Sequence, residues 1–320
     1  MHIGLIGLGK MGFSMRERLR SKGIQVSGFD RDPVRSDAGS LAELASMLPV
    51  PRIVWVMVPS GAVTSAVITD LSEVLTEGDL VIDGGNSRFT EDGKHAALLA
   101  AKGIRYLDCG VSGGVWGREN GYGLMVGGDP ADVAEAMPVF DALRPEGARA
   151  DSFVHAGATG AGHYAKMVHN GIEYGLMQAY AEGYELLEAQ DIITDVPGIF
   201  GAWQNGTVIR SWLLELAVKA VQEDPGLSRV AGFVEDSGEG RWTVEEALAA
   251  EVPVPVISAA IFARFASRQD DSAAMKLVAA LRNQFGGHAV KEAAGDGNGS
   301  AGTRARTPAE EAIGEAGAPE

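Results

Sequence analysis

Four polar side chains near the middle of the chain have the types and the spacing of an acid–base site. They are Lys166, His169, Asn170 and Glu173, which follow a glycine-rich segment and are called the polar stripe below. From about residue 163 the pattern predicts a helix, and residues at i, i+3, i+4 and i+7 share one helix face. An amine, an imidazole, an amide and a carboxylate each need a partner once buried, so they are poor core residues. The alternative is a solvated polar face, which is common on surface helices.

A glycine turn near the N-terminus has the surroundings of a dinucleotide-binding fingerprint. A predicted strand precedes the G-x-G-x-x-G pattern of residues 7–12, and a predicted helix and a second strand ending in Asp30 follow. In this fingerprint the phosphates of the dinucleotide bind at the helix N-terminus, and an acid at the end of the second strand binds the ribose hydroxyls. Asp30 is that acid here, and its carboxylate would repel the 2′-phosphate of NADP. Arg31 could stack on adenine. We therefore expect NAD, with NADP as a weaker alternative; the other interpretation is a glycine turn in an unrelated α/β protein.

The rest of the first half alternates between short apolar runs and helical patterns. The predicted strands end near Val58, Asp83, Cys109, Val126 and His155. Such runs, separated by helices, predict a mostly parallel sheet covered on both faces. We predict an α/β fold with an N-terminal Rossmann-type doubly wound parallel sheet and an all-α C-terminal domain. The predicted ranges are 1–156 for the dinucleotide-binding domain, 157–290 for the helical substrate and dimerisation domain, and 291–320 for a disordered tail without apolar period.

Two loops at the carboxyl ends of predicted strands carry groups that bind oxygen-rich ligands. Residues 84–87 (Gly-Gly-Asn-Ser) and 110–114 (Gly-Val-Ser-Gly-Gly) supply free backbone N–H groups, an amide and hydroxyls. The alternative is a pair of ordinary turns, because Gly, Asn and Ser dominate turns. A third segment, residues 236–243, could fold over a ligand. Thr243 and Glu246 have the spacing of a capping box, which predicts a helix start at Thr243.

Composition limits the possible partners and the cellular compartment. With 46% apolar residues and a net charge of −16, the chain can bury a core and would be repelled by nucleic acid and anionic membranes. Its one cysteine, Cys109, agrees with a reducing compartment. No apolar stretch approaches the ~20 residues that cross a bilayer, and the N-terminal residues lack a signal-peptide pattern. We expect a cytoplasmic protein that binds a small molecule.

Together these motifs resemble the decarboxylating 6-phosphogluconate dehydrogenases, in a short form with one helical domain. The resemblance covers residues 1 to about 290 and includes the motif Gly160-x-Gly162-His-x-x-Lys166-Met-Val-His-Asn-Gly-Ile-Glu-Tyr174. It implies oxidative decarboxylation of 6-phospho-D-gluconate to D-ribulose 5-phosphate and CO₂ with reduction of NAD, a step of the pentose phosphate pathway. It implies Lys166 as general base, Glu173 as general acid, and no metal. The implied substrate-binding residues are Asn86, Ser112, Gly113, Gly114, His169, Asn170, Tyr174, Arg264, Arg282 and His288. The expected cofactor-binding residues are Gly7, Leu8, Gly9, Lys10, Met11, Gly12, Asp30, Arg31, Val58, Pro59 and Asn86.

The chain departs from the longer members of this family at one segment. Where they have Lys-Gly-Thr-Gly-Lys-Trp, with phosphate contacts at Lys and Thr, this chain has Ser237 and Glu239, and Arg241 keeps the later positive charge. The resemblance also places Arg282 and His288 in the pocket of a neighbouring subunit, which implies a homodimer or homotetramer built on two-fold dimers. In the alternative, both residues cap the last helix of their own chain.

The chemistry of a 3-hydroxy acid explains this set of acids and bases. Oxidation of the 3-hydroxyl gives a 3-keto acid, which loses CO₂ readily, so a base must take the hydroxyl proton and an acid must later protonate carbon. Two other functions stay open. A non-decarboxylating β-hydroxyacid dehydrogenase, of the 3-hydroxyisobutyrate or tartronate semialdehyde type, would not need Glu173, His169 or the cationic residues. A non-catalytic NAD-binding sensor would not need Lys166 and Glu173 on one face.

Overall fold

A seven-stranded sheet organises the first part of the chain. The computed structural model describes residues 1–286 and 289–291, with a first compact unit from Met1 to Arg268 and a second that begins at Gln269. The strands are β1 (His2–Ile6), β2 (Gln25–Phe29), β3 (Ile53–Val56), β4 (Leu80–Asp83), β5 (Arg105–Ser112), β6 (Gly123–Gly128) and β7 (Phe153–Gly157). Their order is β2-β1-β3-β4-β5-β6-β7. Only β5 and β6 pair antiparallel, and the other neighbours are parallel.

Helices cover both faces of the sheet and then continue alone. Those that alternate with the strands are α1 (Lys10–Ser21), α2 (Leu41–Ser46), α3 (Ala62–Val74), α4 (Phe89–Ala100), α5 (Gly117–Asn120) and α6 (Pro130–Leu143). After β7 come α7 (Ala161–Glu188), α8 (Val196–Trp203), α9 (Trp212–Glu223), α10 (Glu239–Ala249) and α11 (Pro255–Ala266). The second unit contains α12 (Ala273–Gly286).

The strands are apolar on both faces because a hydrophobic core lies against each face of the sheet. Trp55 and Ile82 point to the side that α1 and α6 cover, and their neighbours Val54 and Val81 point to the side of α3 and α4. Successive side chains of a strand alternate between faces, so a strand buried twice needs a continuous apolar run. The predicted fold, a doubly wound sheet followed by helices, is confirmed.

The long helix α7 links the sheet to the later helices. Its first half packs against β5 and β6, and it also contacts α10 and α11. Sequence patterns predicted this helix but not α8, which is short and has Pro197 in its first turn. The carboxylate of Asp195 starts α8 by accepting from the Gly198 N–H at 2.7 Å, a cap that favours helix formation.

The predicted helix start at Thr243 is wrong. Helix α10 begins four residues earlier, at Glu239, after Gly238 with φ +105°. Thr243 is therefore inside the helix, where its hydroxyl lies 2.9 Å from the carbonyl oxygens of Met167 and Glu239. The side chain ties α10 to α7 instead of capping α10, so tertiary contact decides its role.

Two predictions about the ends of the domains stay predictions. The division at residue 156 is not decided by the units of the structure, and the predicted tail, residues 291–320, lies outside the described residues apart from Lys291. Within the described part of the chain, no helix combines the length and the apolarity that a bilayer span requires.

Candidate active site

The glycine turn between β1 and α1 has the shape that a dinucleotide requires. Gly7 has φ +90°, and a Cβ there would stand 2.3 Å from the Met57 carbonyl oxygen. A Cβ on Gly12 would stand 1.9 Å from the Gly7 carbonyl oxygen, so a larger residue would push α1 away from the turn. Gly9 faces open space, and none of the described side chains caps α1 there. The N–H groups at the start of α1 can therefore bind phosphate oxygens.

The predicted cofactor residues around this turn lie at one edge of the sheet. Asp30 follows β2, and its carboxylate accepts from the N–H groups of Leu8 at 2.6 Å and Asp32 at 2.9 Å. Arg31 is exposed, and Val58 and Pro59 follow the adjacent strand β3. Each carboxylate oxygen can accept two hydrogen bonds, so Asp30 keeps capacity for ribose hydroxyls. These residues fit a dinucleotide.

One residue near the turn was missed from the sequence. Arg35 reaches back so that its Nη1 lies 3.4 Å from the Leu8 carbonyl oxygen, and its Nε lies 3.1 Å from Asp32. No sequence pattern indicates this, because the loop that carries Arg35 returns to the turn only in the folded chain.

The loop after β4 is shaped by a buried acid. Asp83 accepts from the Gly85 N–H at 3.0 Å and from the Ser87 hydroxyl at 2.8 Å. Gly84 lies so close to Trp55 that a Cβ would stand 2.2 Å from the indole Nε1. These contacts hold the loop tight against the sheet and leave Asn86 exposed at its tip. The Asp83-Gly-Gly-Asn-Ser motif thus exposes the side-chain amide of Asn86 at the tip of the loop.

Strand β5 continues to Ser112, three residues beyond the predicted end at Cys109, and approaches α7 at a glycine. A Cβ on Gly110 would stand 2.4 Å from the Lys166 Cβ and 2.8 Å from the Gly162 carbonyl oxygen. Further along, the half-buried Gly113 with φ +146° and the exposed Gly114 with φ +55° turn the chain. The Ser112 hydroxyl lies 3.3 Å from the His169 Nε2. The glycines let this strand end come against the predicted catalytic helix.

Helix α7 is capped by an acid of the sheet. The Asp108 carboxylate accepts from the Gly160 N–H at 2.6 Å and from the His163 N–H at 2.9 Å. A Cβ on Gly162 would stand 2.4 Å from the Met125 carbonyl oxygen. A carboxylate at a helix N-terminus satisfies N–H groups that lack partners and is favoured by the helix dipole. The Gly-x-Gly-His motif therefore fixes the position of α7 on the sheet.

Lys166 lies on the buried side of α7. It is 9% exposed, and its Nζ lies 3.4 Å from the His169 Nδ1. Burial lowers the pKa of Lys166 from its usual value, and the carboxylates of Glu173 and Glu239 partly oppose this. Desolvation disfavours the charged amine, so a larger share of Lys166 is neutral than in water.

The other members of the stripe surround this amine. The His169 Nδ1 lies 3.4 Å from the Asn170 Oδ1 and 3.7 Å from the Glu173 Oε2. Burial lowers the pKa of His169, and the neighbouring Lys166 lowers it further. Asn170 is buried and donates from Nδ2 to the Asn86 Oδ1 at 3.4 Å. The structure thus brings the stripe, the β4 loop and the β5 loop into one site.

Glu239 is a buried acid that sequence reasoning did not assign to the site. It is 3% exposed, accepts a hydrogen bond from the Asn86 Nδ2, and accepts from the Ser237 hydroxyl at 2.5 Å. The Tyr174 hydroxyl lies 3.4 Å from the same Ser237 hydroxyl. The sequence showed only that Ser237 and Glu239 replace family phosphate contacts, because burial depends on how α10 packs on α7.

The predicted cationic residues are only partly placed. The Arg264 guanidinium lies 3.6 Å from the centroid of the Tyr174 ring, and its Nη1 donates to the Glu235 carbonyl oxygen at 3.0 Å. Arg282 belongs to α12 of the second unit. His288 lies outside the described residues. Of the three, Arg264 alone is described together with the stripe.

A second cluster of titratable groups lies under the start of α7. The His163 Nδ1 lies 2.9 Å from the Asp92 carboxylate, and the Tyr106 hydroxyl donates to Asp92 at 2.8 Å. Burial alone would lower the pKa of His163, but the carboxylates of Asp92, Asp83 and Asp108 outweigh it and raise the pKa to about 9. Two groups here have metal-like spacing, Asp83/Asp92/His95 and Asp92/Asp108/His163. The carboxylates of Asp83, Asp92 and Asp108 already accept hydrogen bonds from protein donors. These hydrogen bonds explain why the acids and histidines lie together, without a metal ion.

An open cavity adjoins the stripe. It measures about 610 Å³, and its lining includes Ser112, Gly113 and His169 together with Phe153 and Trp212. A volume of this size can hold a small metabolite. Lys166 and Asn86 lie outside its lining, so the site consists of this cavity and the adjacent polar groups.

A doubly wound sheet with a dinucleotide turn, facing a helix with a buried lysine, defines a Rossmann-type dehydrogenase. Residues 2–150 match the family model of the NAD binding domain of 6-phosphogluconate dehydrogenase, and residues 162–294 match that of its C-terminal domain. The chain belongs to the 6-phosphogluconate dehydrogenase family.

Individual relatives agree with this assignment. The chain is 44% identical to the NAD(+)-dependent, decarboxylating 6-phosphogluconate dehydrogenase of Haloferax volcanii, over 91% of this chain and 98% of that protein. It is 42% identical to a Bacillus subtilis protein provisionally named a 6-phosphogluconate dehydrogenase, over 91% of this chain and all of that one. Its fold matches the Plasmodium falciparum 6-phosphogluconate dehydrogenase with a TM-score of 0.76 at 26% identity, covering 92% of this chain and 67% of the other.

Proposed function

We propose that this protein oxidises 6-phospho-D-gluconate and decarboxylates the product to D-ribulose 5-phosphate and CO₂, with NAD as the electron acceptor. The proposal is supported by the family, by the identity to an NAD(+)-dependent, decarboxylating relative, and by the site. The observation that carries it is the buried Lys166, the member of the polar stripe that lies against Gly110 of β5. A lysine with a lowered pKa is the group that this oxidation needs first.

In the first step Lys166 acts as the general base. Its neutral Nζ takes the proton of the substrate 3-hydroxyl while a hydride leaves the carbon that bears this hydroxyl. The lowered pKa of Lys166 makes the neutral form available, and a base of this kind is typically worth ~10²–10⁴-fold in rate. The residues that would hold NAD are those of the turn and its surroundings, Gly7 to Gly12, Asp30, Arg31, Val58, Pro59 and Asn86. NAD supplies the hydride acceptor.

In the later steps Lys166 and Glu173 act as acids. Loss of CO₂ from the 3-keto acid leaves an enolate, whose oxygen takes the proton from the Lys166 ammonium. Glu173 then protonates the carbon that carried CO₂, and the enol returns its proton to Lys166. Glu173 lies about two turns further along the same face, half-buried and 3.7 Å from the His169 Nδ1, so it can serve a carbon next to the one that Lys166 serves.

The remaining predicted residues would bind and orient the substrate. The groups suited to its carboxylate and hydroxyls are Asn86, Ser112, Gly113, Gly114, His169 and Asn170, all hydrogen-bonding side chains or open backbone. Tyr174 and Arg264 would hold the phosphate end, because a guanidinium binds phosphate bidentately and the ring fixes its plane. A local cation is needed since the whole chain carries a net charge of −16.

The alternative functions are less well supported. A β-hydroxyacid dehydrogenase without decarboxylation would have no use for a carboxylic acid on the lysine stripe, yet Glu173 is near enough to influence the pKa of Lys166. A non-catalytic sensor would have no use for a buried amine. We therefore rank both below the decarboxylating enzyme.

We further propose that the active form is a homo-oligomer built on two-fold dimers, with Arg282 and His288 completing the neighbour's pocket. Exposed apolar side chains on α7 and α11, among them Ile172, Leu176 and Phe262, support an interface. Subunit mixing tests it: Lys166→Ala and Arg282→Ala are each inactive alone, and random exchange restores about a quarter of the wild-type sites when pockets are shared. A mixture that stays inactive despite proven exchange contradicts the sharing.

One assay tests the proposed reaction directly. NADH formation is followed by absorbance with 6-phosphogluconate as substrate, while released CO₂ is measured in the same reaction. We expect one CO₂ for each NADH. NADH without CO₂ would favour the non-decarboxylating alternative, and absence of both, with NAD binding retained, would favour the sensor.

A further inference from the structure

We propose that Glu239 is a positioning residue that sets the direction of a chain of hydrogen bonds ending at His169 and Lys166. In this arrangement it holds His169 as the tautomer protonated at Nδ1. The catalytic consequence rests on the proposed function, whereas the tautomer itself is a property of the protein alone.

Glu239 can fix a direction because a carboxylate only accepts. The side chain is 3% exposed, and its two oxygens accept from the Asn86 Nδ2 and the Ser237 hydroxyl. Both carboxylate oxygens act as acceptors in these contacts, so Asn86 presents its NH₂ group to Glu239. The family's longer members have a threonine at this position, and a hydroxyl, which both donates and accepts, would leave the direction open.

The orientation of Asn86 then passes along the site. With its NH₂ on Glu239, Asn86 offers its Oδ1 to the Asn170 Nδ2, 3.4 Å away. Asn170 in turn offers its Oδ1 to the His169 Nδ1, also 3.4 Å away. An oxygen can only accept, so this contact favours a proton on the Nδ1 of His169, and the Glu173 carboxylate, 3.7 Å from the same nitrogen, favours it as well.

The tautomer of His169 determines which hydrogen bonds it can make with Ser112 and Lys166. A neutral imidazole protonated at Nδ1 leaves Nε2 as an acceptor, and the Ser112 hydroxyl lies 3.3 Å from that nitrogen. On the other side, the Lys166 Nζ lies 3.4 Å from Nδ1. A protonated Nδ1 offers no lone pair to an ammonium group, so Lys166 gains nothing from His169 by being charged. Through His169 the network therefore favours the neutral amine that must act as base, whereas the charge of the Glu239 carboxylate acts directly on Lys166 in the opposite sense and raises its pKa.

The first experiment measures the tautomer in the resting protein. The chain has only six histidines, so ¹⁵N labelling of histidine gives a small set of ring signals, and loss of a signal in His169→Gln assigns it. We expect the wild-type His169 to be protonated at Nδ1. Glu239→Gln keeps the shape but can both donate and accept, so we expect a shift toward the Nε2-protonated form. The matched control is Glu246→Gln on the same helix α10, which leaves the signal unchanged.

Two results would overturn the proposal: a wild-type His169 protonated at Nε2, or an Nδ1-protonated signal that stays unchanged in Glu239→Gln. A thermal unfolding curve shows whether each variant is folded. If Glu239→Gln fails to fold, Glu239→Thr gives the same test with a smaller side chain.

The second experiment measures the consequence for catalysis. We expect Glu239→Gln to lower kcat with 6-phosphogluconate about tenfold, because orientation of the base is lost. Wild-type kcat in this variant overturns the positioning role. A wild-type protein that does not oxidise 6-phosphogluconate overturns the proposed function, and the tautomer measurement then still decides on Glu239.

Discussion

A single methyl group at Gly110 should disturb the position of Lys166. The Cβ of Gly110→Ala would lie 2.4 Å from the Lys166 Cβ and 2.8 Å from the Gly162 carbonyl oxygen. Carbon atoms in contact need ~3.5 Å or more, so β5 and α7 must separate by about 1 Å. Both opposing atoms are close to the backbone, and rotation of a flexible side chain therefore cannot relieve the clash.

Two magnitudes follow from this separation. Overpacking of this kind typically costs about 1–3 kcal/mol of unfolding free energy. A misplacement of about 1 Å in the catalytic geometry can cost on the order of 10²-fold in rate. We therefore expect kcat/KM for 6-phosphogluconate to fall by one to two orders of magnitude, with the KM for NAD nearly unchanged because the cofactor turn lies between β1 and α1.

Steady-state kinetics and urea unfolding check this expectation. The control is Gly183→Ala, the same change on α7 at a position where a Cβ meets no atom within 4 Å. It should keep full activity and gain up to about 1 kcal/mol from helix propensity. If Gly110→Ala keeps wild-type kcat/KM and stability, the close approach of β5 to Lys166 is not the constraint described above.

Four further substitutions probe the site and the buried cluster under α7. Lys166→Met should lower NADH formation by ~10²–10⁴-fold, and Glu173→Gln should show a burst of NADH followed by slow turnover; full activity of either would contradict its role. Asp30→Ala should raise the KM for NAD. It should also reduce the enzyme's preference for NAD over NADP, measured as the ratio of the kcat/KM values for the two cofactors. The pairing with Asp92 raises the pKa of His163 from 6.5 to about 9. The stabilisation that this pairing gives the folded protein is complete below pH 6.5, the pKa of the histidine in the unfolded chain, and is lost as the pH rises through about 9. His163→Gln should thus cost on the order of 3 kcal/mol at pH 6 and much less above pH 9.5 in urea unfolding.

Much of the fold could be predicted because its signals are local. Strands β1 to β7 were recognised from apolar runs, and α7 from the period of its polar and apolar residues. Helix α8 was missed since eight residues are too few for a period. The start of α10 was misplaced because Thr243 has the type of a cap, yet it is used for a contact with Met167.

Motifs predicted which residues would meet but not how they would act. The stripe from Lys166 to Glu173 needed only helix geometry. The direction of the Asn86 and Asn170 amides needed Glu239, whose burial and hydrogen bond to Asn86 no motif indicated. A hydrogen-bond direction is set by the one group that cannot reverse it, and that group comes from another helix.

The sequence by itself determined the α/β class, the glycine turn for a dinucleotide and the face that carries the acids and bases. Each of these follows from neighbouring residues, through hydrophobic period, glycine stereochemistry and helix spacing. Only the tertiary structure decided that Lys166 is buried, that Asp108 caps α7, and that Glu239 bonds to Asn86 across 153 positions of the chain. Burial and pKa depend on which distant groups replace water around a side chain, and that is known only once the chain has folded.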